Sequence, residues 1–110
     1  MAIQKFRLIV SGEVGAEQRV ADTYTPANGE EIYICCFNGQ ACFTPNSAVY
    51  VAWDYGGENE VILFSTKGSA EIHLESEIIG DGTKKIAVVC DNGEPGPVVM
   101  SGGLCLCKKI

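Results

Sequence analysis

The sequence predicts a single all-β domain over residues 1–110: an antiparallel, jelly-roll-like β-sandwich of about eight strands. Three observations predict it. Apolar residues recur with period two in segment after segment, the pattern of strands half-buried against a core. Glycine, proline and Asn-Gly breakers separate these segments at short intervals. No window sustains an apolar stripe at i, i+3, i+4 and i+7, so no helix of consequence is expected. At 110 residues, with 46% apolar and 20% charged, the chain has the size and composition of one folded domain.

The elements follow in order. Residues 4–11 alternate, with Phe6, Leu8 and Val10 on one face. Residues 18–25 alternate more weakly. Residues 31–38 hold a dense run, Ile32-Tyr33-Ile34-Cys35-Cys36-Phe37, in which strict alternation puts Ile32, Ile34 and Cys36 inward. Residues 48–54 place Val49, Val51 and Trp53 on one face and Tyr50 on the other. Residues 60–65 contain Val61-Ile62-Leu63-Phe64. Residues 69–79 alternate most cleanly, with Ala70, Ile72, Leu74 and Ile78 inward and Glu71, His73, Glu75 and Glu77 outward. Residues 85–91 and 98–108 complete the set. Asn28-Gly29, Asn38-Gly39 and Asn92-Gly93 are read as tight turns, because Asn and Gly accept the positive φ such turns need.

Three segments, 32–37, 61–64 and 86–90, are apolar on both faces. A sandwich strand needs only one apolar face. Either outward Val and Ile are tolerated on the surface, or a second surface covers them, as in an oligomer. The second reading is preferred here.

Composition excludes several functions. Eight Lys and Arg stand against fourteen Asp and Glu, a net charge of −6. Nucleic-acid binding needs a basic patch, and so does attachment to an anionic membrane surface; neither partner is expected. The longest apolar runs are about five residues, too short to span a bilayer as a helix. The start, Met1 to Phe6, lacks the basic and apolar regions of a secretory signal, and Arg7 interrupts the only candidate.

No catalytic motif is found, and no enzyme activity or cofactor is expected. His73 lies between Glu71 and Glu75 on a polar strand face, without a nucleophile or further metal ligands implied nearby, so it is expected to be dispensable. Glu30-Glu31 and the Asp54/Glu58/Glu60 group read as solvated turn acids. Trp53-Asp54-Tyr55-Gly56-Gly57 offers an aromatic pair, Trp53 and Tyr55, that could stack on a sugar; alternation favours an inward Trp53 instead.

The six cysteines divide by face. Cys36 and Cys90 follow inward residues and are expected to be buried thiols acting as small hydrophobes. Cys35, Cys42, Cys105 and Cys107 fall on outer faces or near turns. A zinc site built from these four lacks the usual C-x₂₋₄-C pairs. Bonds between Cys35 and Cys36, or between Cys105 and Cys107, are geometrically poor, so partners lie on another strand or another chain. The expectation is at least one inter-chain disulfide among the four, formed late, because two of them sit at the C-terminal end of the chain.

With its strand-only pattern, its acidic balance, its start without a signal and turns such as Tyr24-Thr25-Pro26-Ala27-Asn28-Gly29-Glu30, the chain resembles small phage virion proteins of the capsid decoration (cement) or head-accessory type. That resemblance implies a structural virion protein, synthesised in the host cytoplasm and free of enzyme activity. It would pack against copies of itself, as a trimer in the favoured case, and against a capsid or other virion protein. The alternatives are a carbohydrate- or receptor-binding module using Trp53 and Tyr55, and a cysteine-ligated zinc protein.

Overall fold

Eight strands form two four-stranded antiparallel sheets: β1 (Ile3–Val14), β2 (Gln18–Tyr24), β3 (Glu31–Gln40), β4 (Ser47–Trp53), β5 (Val61–Thr66), β6 (Ser69–Ile79), β7 (Ile86–Asn92) and β8 (Val98–Lys109). The computed structural model describes the backbone of residues 3–41, 45–66 and 69–109, and the side chains of these residues except 69–76 and 109. The first sheet has the order β1-β8-β3-β6 and the second β2-β7-β4-β5. Except for the β4–β5 hairpin, successive strands alternate between sheets. This is the double Greek key of a jelly roll, and the expected fold class is the one found. The first and last strands pair along their whole length, from Ile3 opposite Lys109 to Val14 opposite Val98.

The core lies between the two inner faces. Leu8, Val14, Ile32, Ile34, Phe37, Met100, Leu104 and Leu106 from the first sheet meet Val49, Val51, Ile86, Val88 and Cys90 from the second, all of them buried. Burying each of the large ones contributes about 1.5–3 kcal/mol.

One irregularity changes the reading of β3. The ladder slips between Ile34 and Cys36 against both β6 and β8. A β-bulge places one extra residue on one strand and so breaks the strict alternation of faces. Ile32, Ile34 and Phe37 are fully buried, whereas Cys35 and Cys36 are both half-buried. Cys36 is therefore not the inward thiol that strict alternation assigns. The bulge exchanges a small sulfur side chain for Phe37 in the core, which buries far more apolar area.

Asn38-Gly39 is likewise not a turn but the interior of β3. Gly39 lies opposite Gly102 of β8. A Cβ on Gly39 would come within 2.9 Å of Val49, and one on Gly102 within 2.7 Å of the same valine and 2.8 Å of Val88. The paired glycines thus make a depression in which β4 and β7 side chains seat. Asn28-Gly29 does form a turn: Gly29 has φ 80° and the Glu30 N–H donates to the Ala27 carbonyl at 2.9 Å.

Asn92 holds one end of the sandwich together. It is fully buried; its Nδ2 donates to the carbonyls of Val14, Gly15 and Gly96 at 3.0, 3.1 and 2.9 Å, and its Oδ1 accepts from Ser47 Oγ at 3.0 Å and Glu94 N at 2.8 Å. At the other end Lys108 Nζ sits over the Phe6 and Tyr24 rings and 3.6 Å from Glu30 Oε2, while Tyr24 Oη donates to Glu30 Oε1 at 2.5 Å.

In β6, Ile78 is half-buried against the core and Glu77 is exposed, as alternation requires. The inward placement of Ala70, Ile72 and Leu74 and the outward placement of Glu71, His73 and Glu75 lie outside the described side chains.

Candidate functional site

The outer face of the first sheet carries four of the five described cysteines. The ladders set three rows across β1, β8 and β3: Lys5, Cys107 and Tyr33; Arg7, Cys105 and Cys36; Ile9, Gly103 and Asn38. Residues directly opposite in an antiparallel ladder point to the same face, so Cys36 and Cys105 share the outer one. The bulge brings Cys36 to this face, where Cys35 already stands by alternation from Tyr33. Cys35 Sγ lies 2.7 Å from Cys107 Sγ, nearer than the 3.5–4.0 Å or so at which non-bonded heavy atoms settle. Cys36 is within hydrogen-bonding reach of Cys105.

Burial and sulfur neighbours make Cys35 and Cys105 reluctant to ionise. The Cys35 thiol is pushed up to about 12, first by burial and then by its contact with Cys107. Cys105 is pushed up by burial and by Cys36, with Arg7 opposing. Cys90 is fully buried in the core, and burial alone pushes it up to about 11. Cys42 lies outside the described residues. Among the described residues no group of three or more His, Cys, Asp or Glu is arranged to hold a metal ion.

The aromatic pair of the alternative reading is split. Trp53 is half-buried and packs against the main core. Tyr55 sits with a separate cluster on the outer face of the second sheet, beside Tyr50, Ala52, Ala87 and Val89. The Arg19 guanidinium lies 4.5 Å from the Tyr55 ring centroid, donates to Tyr50 Oη at 3.0 Å, and binds both oxygens of Glu60 at 2.8 and 3.3 Å. The loop between β4 and β5 is folded onto this face: Asp54 adopts φ 58°, its Oδ2 accepts from Asn59 N, and Tyr55 N donates to the Lys85 carbonyl. Trp53 and Tyr55 therefore do not form one stacking platform. The same loop covers the outer side of β7. The two-faced apolar run at 86–90 is thus buried within the chain and needs no second subunit.

The edges differ. Of the seven large apolar side chains exposed among the described residues, six lie on the four edge strands: Ile3 and Ile9 on β1, Val20 on β2, Val61 and Ile62 on β5, and Ile79 on β6. Each is 41–62% exposed. Isolated edges are usually blunted by charge, proline or a covering segment. Here β1 carries the exposed charges Lys5, Arg7 and Glu13, and its Ile9 N–H donates to the Asp22 carboxylate at 3.0 Å, whereas β5 holds no charged residue. Sequence patterning pointed to Val61 and Ile62 but missed Ile3, Ile9, Val20 and Ile79. The available signal was strand order, which alternation does not reveal. A shallow depression of about 170 Å³ beside Val99 and Met100 is smaller than the usual 300–1,000 Å³ or so of a ligand pocket.

No protein-family model matches the sequence, and no curated protein matches it. Solved structures match in fold. A chain from the structure described as "Bacillus endospore appendages form a novel family of disulfide-linked pili" aligns with TM-score 0.53 at 10% identity, covering 98% of this chain and 88% of that one. The Yersinia pseudotuberculosis-derived mitogen aligns with TM-score 0.49 at 12% identity, covering 94% and 84%. The Aeromonas hydrophila periplasmic inhibitor of g-type lysozyme aligns with TM-score 0.48 at 8% identity, covering 91% and 85%. At these identities the likeness is one of sandwich fold.

Proposed function

We propose that this chain is a structural subunit that assembles with copies of itself through the edges of its jelly roll. The observation that carries the reading is the concentration of exposed apolar side chains on β1, β2, β5 and β6. An edge strand presents unpaired N–H and C=O groups. Adding exposed Ile and Val gives a partner both hydrogen bonds and apolar area. β5 is the strongest case, because neighbouring Val61 and Ile62 are both more than half exposed and so offer apolar surface on both faces.

The setting we propose is a virus particle, with the subunit acting as a decoration or cement protein on a capsid protein. Trimers are the favoured self-assembly. The acidic balance and the single β-sandwich support that use. Assembly of the same sandwich type into disulfide-linked pili, the description attached to one fold neighbour, is compatible with a structural role. The inter-chain disulfide expected from sequence becomes secondary, since Cys35, Cys36, Cys105 and Cys107 have sulfur neighbours within their own chain.

Size-exclusion chromatography with light scattering tests the reading. Multimers of fixed stoichiometry, retained in reductant, are expected. A monomer across the accessible concentration range would reject self-assembly.

A further inference from the structure

The sulfur-bearing face supports an inference that does not depend on assembly. We propose that Cys35 and Cys107 are joined after folding into a cross-strand disulfide within one chain, with Cys36 and Cys105 forming a separate thiol pair. The two sulfurs already stand 2.7 Å apart on residues 72 positions distant in sequence. The β3–β8 ladder brings them together: Cys107 lies opposite Tyr33, Cys105 lies opposite Cys36, and Cys35 falls between Tyr33 and Cys36 on the same outer face. Bond formation needs the sulfurs to close from 2.7 Å to about 2.05 Å. The bulge sets the pairing: it brings Cys36 out opposite Cys105, where strict register would have placed Cys35, and leaves Cys35 beside Cys107.

The co-reactant is a low-molecular-weight disulfide of the glutathione type. Cys35 is the more accessible of the two, being half-buried, whereas Cys107 is 8% exposed. The Cys35 thiol loses its proton to solvent, and its sulfur attacks the oxidant. That forms a mixed disulfide and releases one small thiolate, which is protonated. Cys107 then loses its proton and attacks the mixed disulfide at the Cys35 sulfur, releasing the second small thiol. Two protein S–H bonds and the oxidant's S–S bond break; one protein S–S bond and two small-molecule S–H bonds form. The protein thiols are oxidised and the small disulfide is reduced. Lys5 and Arg7, opposite Cys107 and Cys105 on the neighbouring strand, favour an anionic oxidant. The raised Cys35 thiol means that the first step accelerates as pH rises above neutrality.

The experiment uses full-length protein, folded under reductant, desalted, diluted and exposed to oxidised glutathione. In a Cys36→Ser/Cys105→Ser variant that keeps its β-type far-UV spectrum, intact mass should fall by two hydrogen masses. The bridge should map to Cys35 and Cys107. Adding Cys107→Ser should leave a lasting glutathione adduct on Cys35. In wild-type protein, partial reduction and alkylation should identify the same pair, which keeps the test open if the variant does not fold. A bridge to Cys42 or Cys90, a link between chains in dilute protein, or free Cys35 and Cys107 after oxidation would each overturn the proposal.

Discussion

Replacing Asn92 by Ala should destabilise the fold far more than its small change in volume suggests. The side chain is fully buried and serves five partners from three parts of the chain. Ala leaves the carbonyls of Val14, Gly15 and Gly96, the Ser47 hydroxyl and the Glu94 N–H without that partner. Gly15, Gly96 and Glu94 are half-buried and can recruit water, whereas Val14 and Ser47 are buried. A buried polar group left unsatisfied costs about 1–3 kcal/mol, so the two buried groups together give about 2–6 kcal/mol. Against a domain stability of about 5–15 kcal/mol, that is a large fraction. Ser47→Ala removes one donor while Oδ1 keeps Glu94 N, and should cost only about 1 kcal/mol. Asn92→Asp should be at least as damaging as Ala, because it aims a carboxylate oxygen at three carbonyls. Urea unfolding followed by tryptophan fluorescence reads the midpoints at unchanged slope. An Asn92→Ala cost within about 0.5 kcal/mol of zero, or one equal to that of Ser47→Ala, would refute the reasoning.

Gly102→Ala should cost about 1–3 kcal/mol by overpacking against Val49 and Val88, and Val49→Ala in the same chain should recover part of it, as thermal unfolding would show. Glu30 is held below the usual carboxylate range mainly by the Tyr24 hydroxyl, and Glu60 mainly by Arg19. Their stabilisation is therefore complete above the unfolded-state value of about 4.3 and is lost as pH falls through the lower folded values. Glu30→Gln with Glu60→Gln should flatten the loss of stability in that acid window, measured by urea midpoints against pH. Closing the Cys35–Cys107 loop should raise stability over the reduced protein by about 4 kcal/mol in the chain-entropy account, and reductant should abolish the gain.

The fold was legible because period-two alternation and turn chemistry agree along the chain, and the cleanest element, β6, has the predicted bounds. What alternation cannot show is a change of phase. The bulge at Cys35 and Cys36 inverts the face of every later residue in β3. The only hint in the sequence is that Phe37 is a better core residue than Cys36. Asn38-Gly39 misled for a related reason, since Gly serves there for close packing rather than for positive φ. Apolar runs do not reveal what covers them: β7 is roofed by Tyr55 and Arg19 from distant segments, whereas Val61 and Ile62 of β5 are left exposed. Cysteine pairing was hidden because strand order, not spacing, decides which sulfurs meet.

Backbone hydrogen exchange compared between concentrated and dilute protein tests edge-strand assembly most directly. In the concentrated sample, amides of β5 and of the other edge strands β1, β2 and β6 should gain protection, while β3, β4, β7 and β8, already paired on both sides, should change little. Identical edge-strand exchange at both concentrations, or protection gained elsewhere on the surface, would contradict the account.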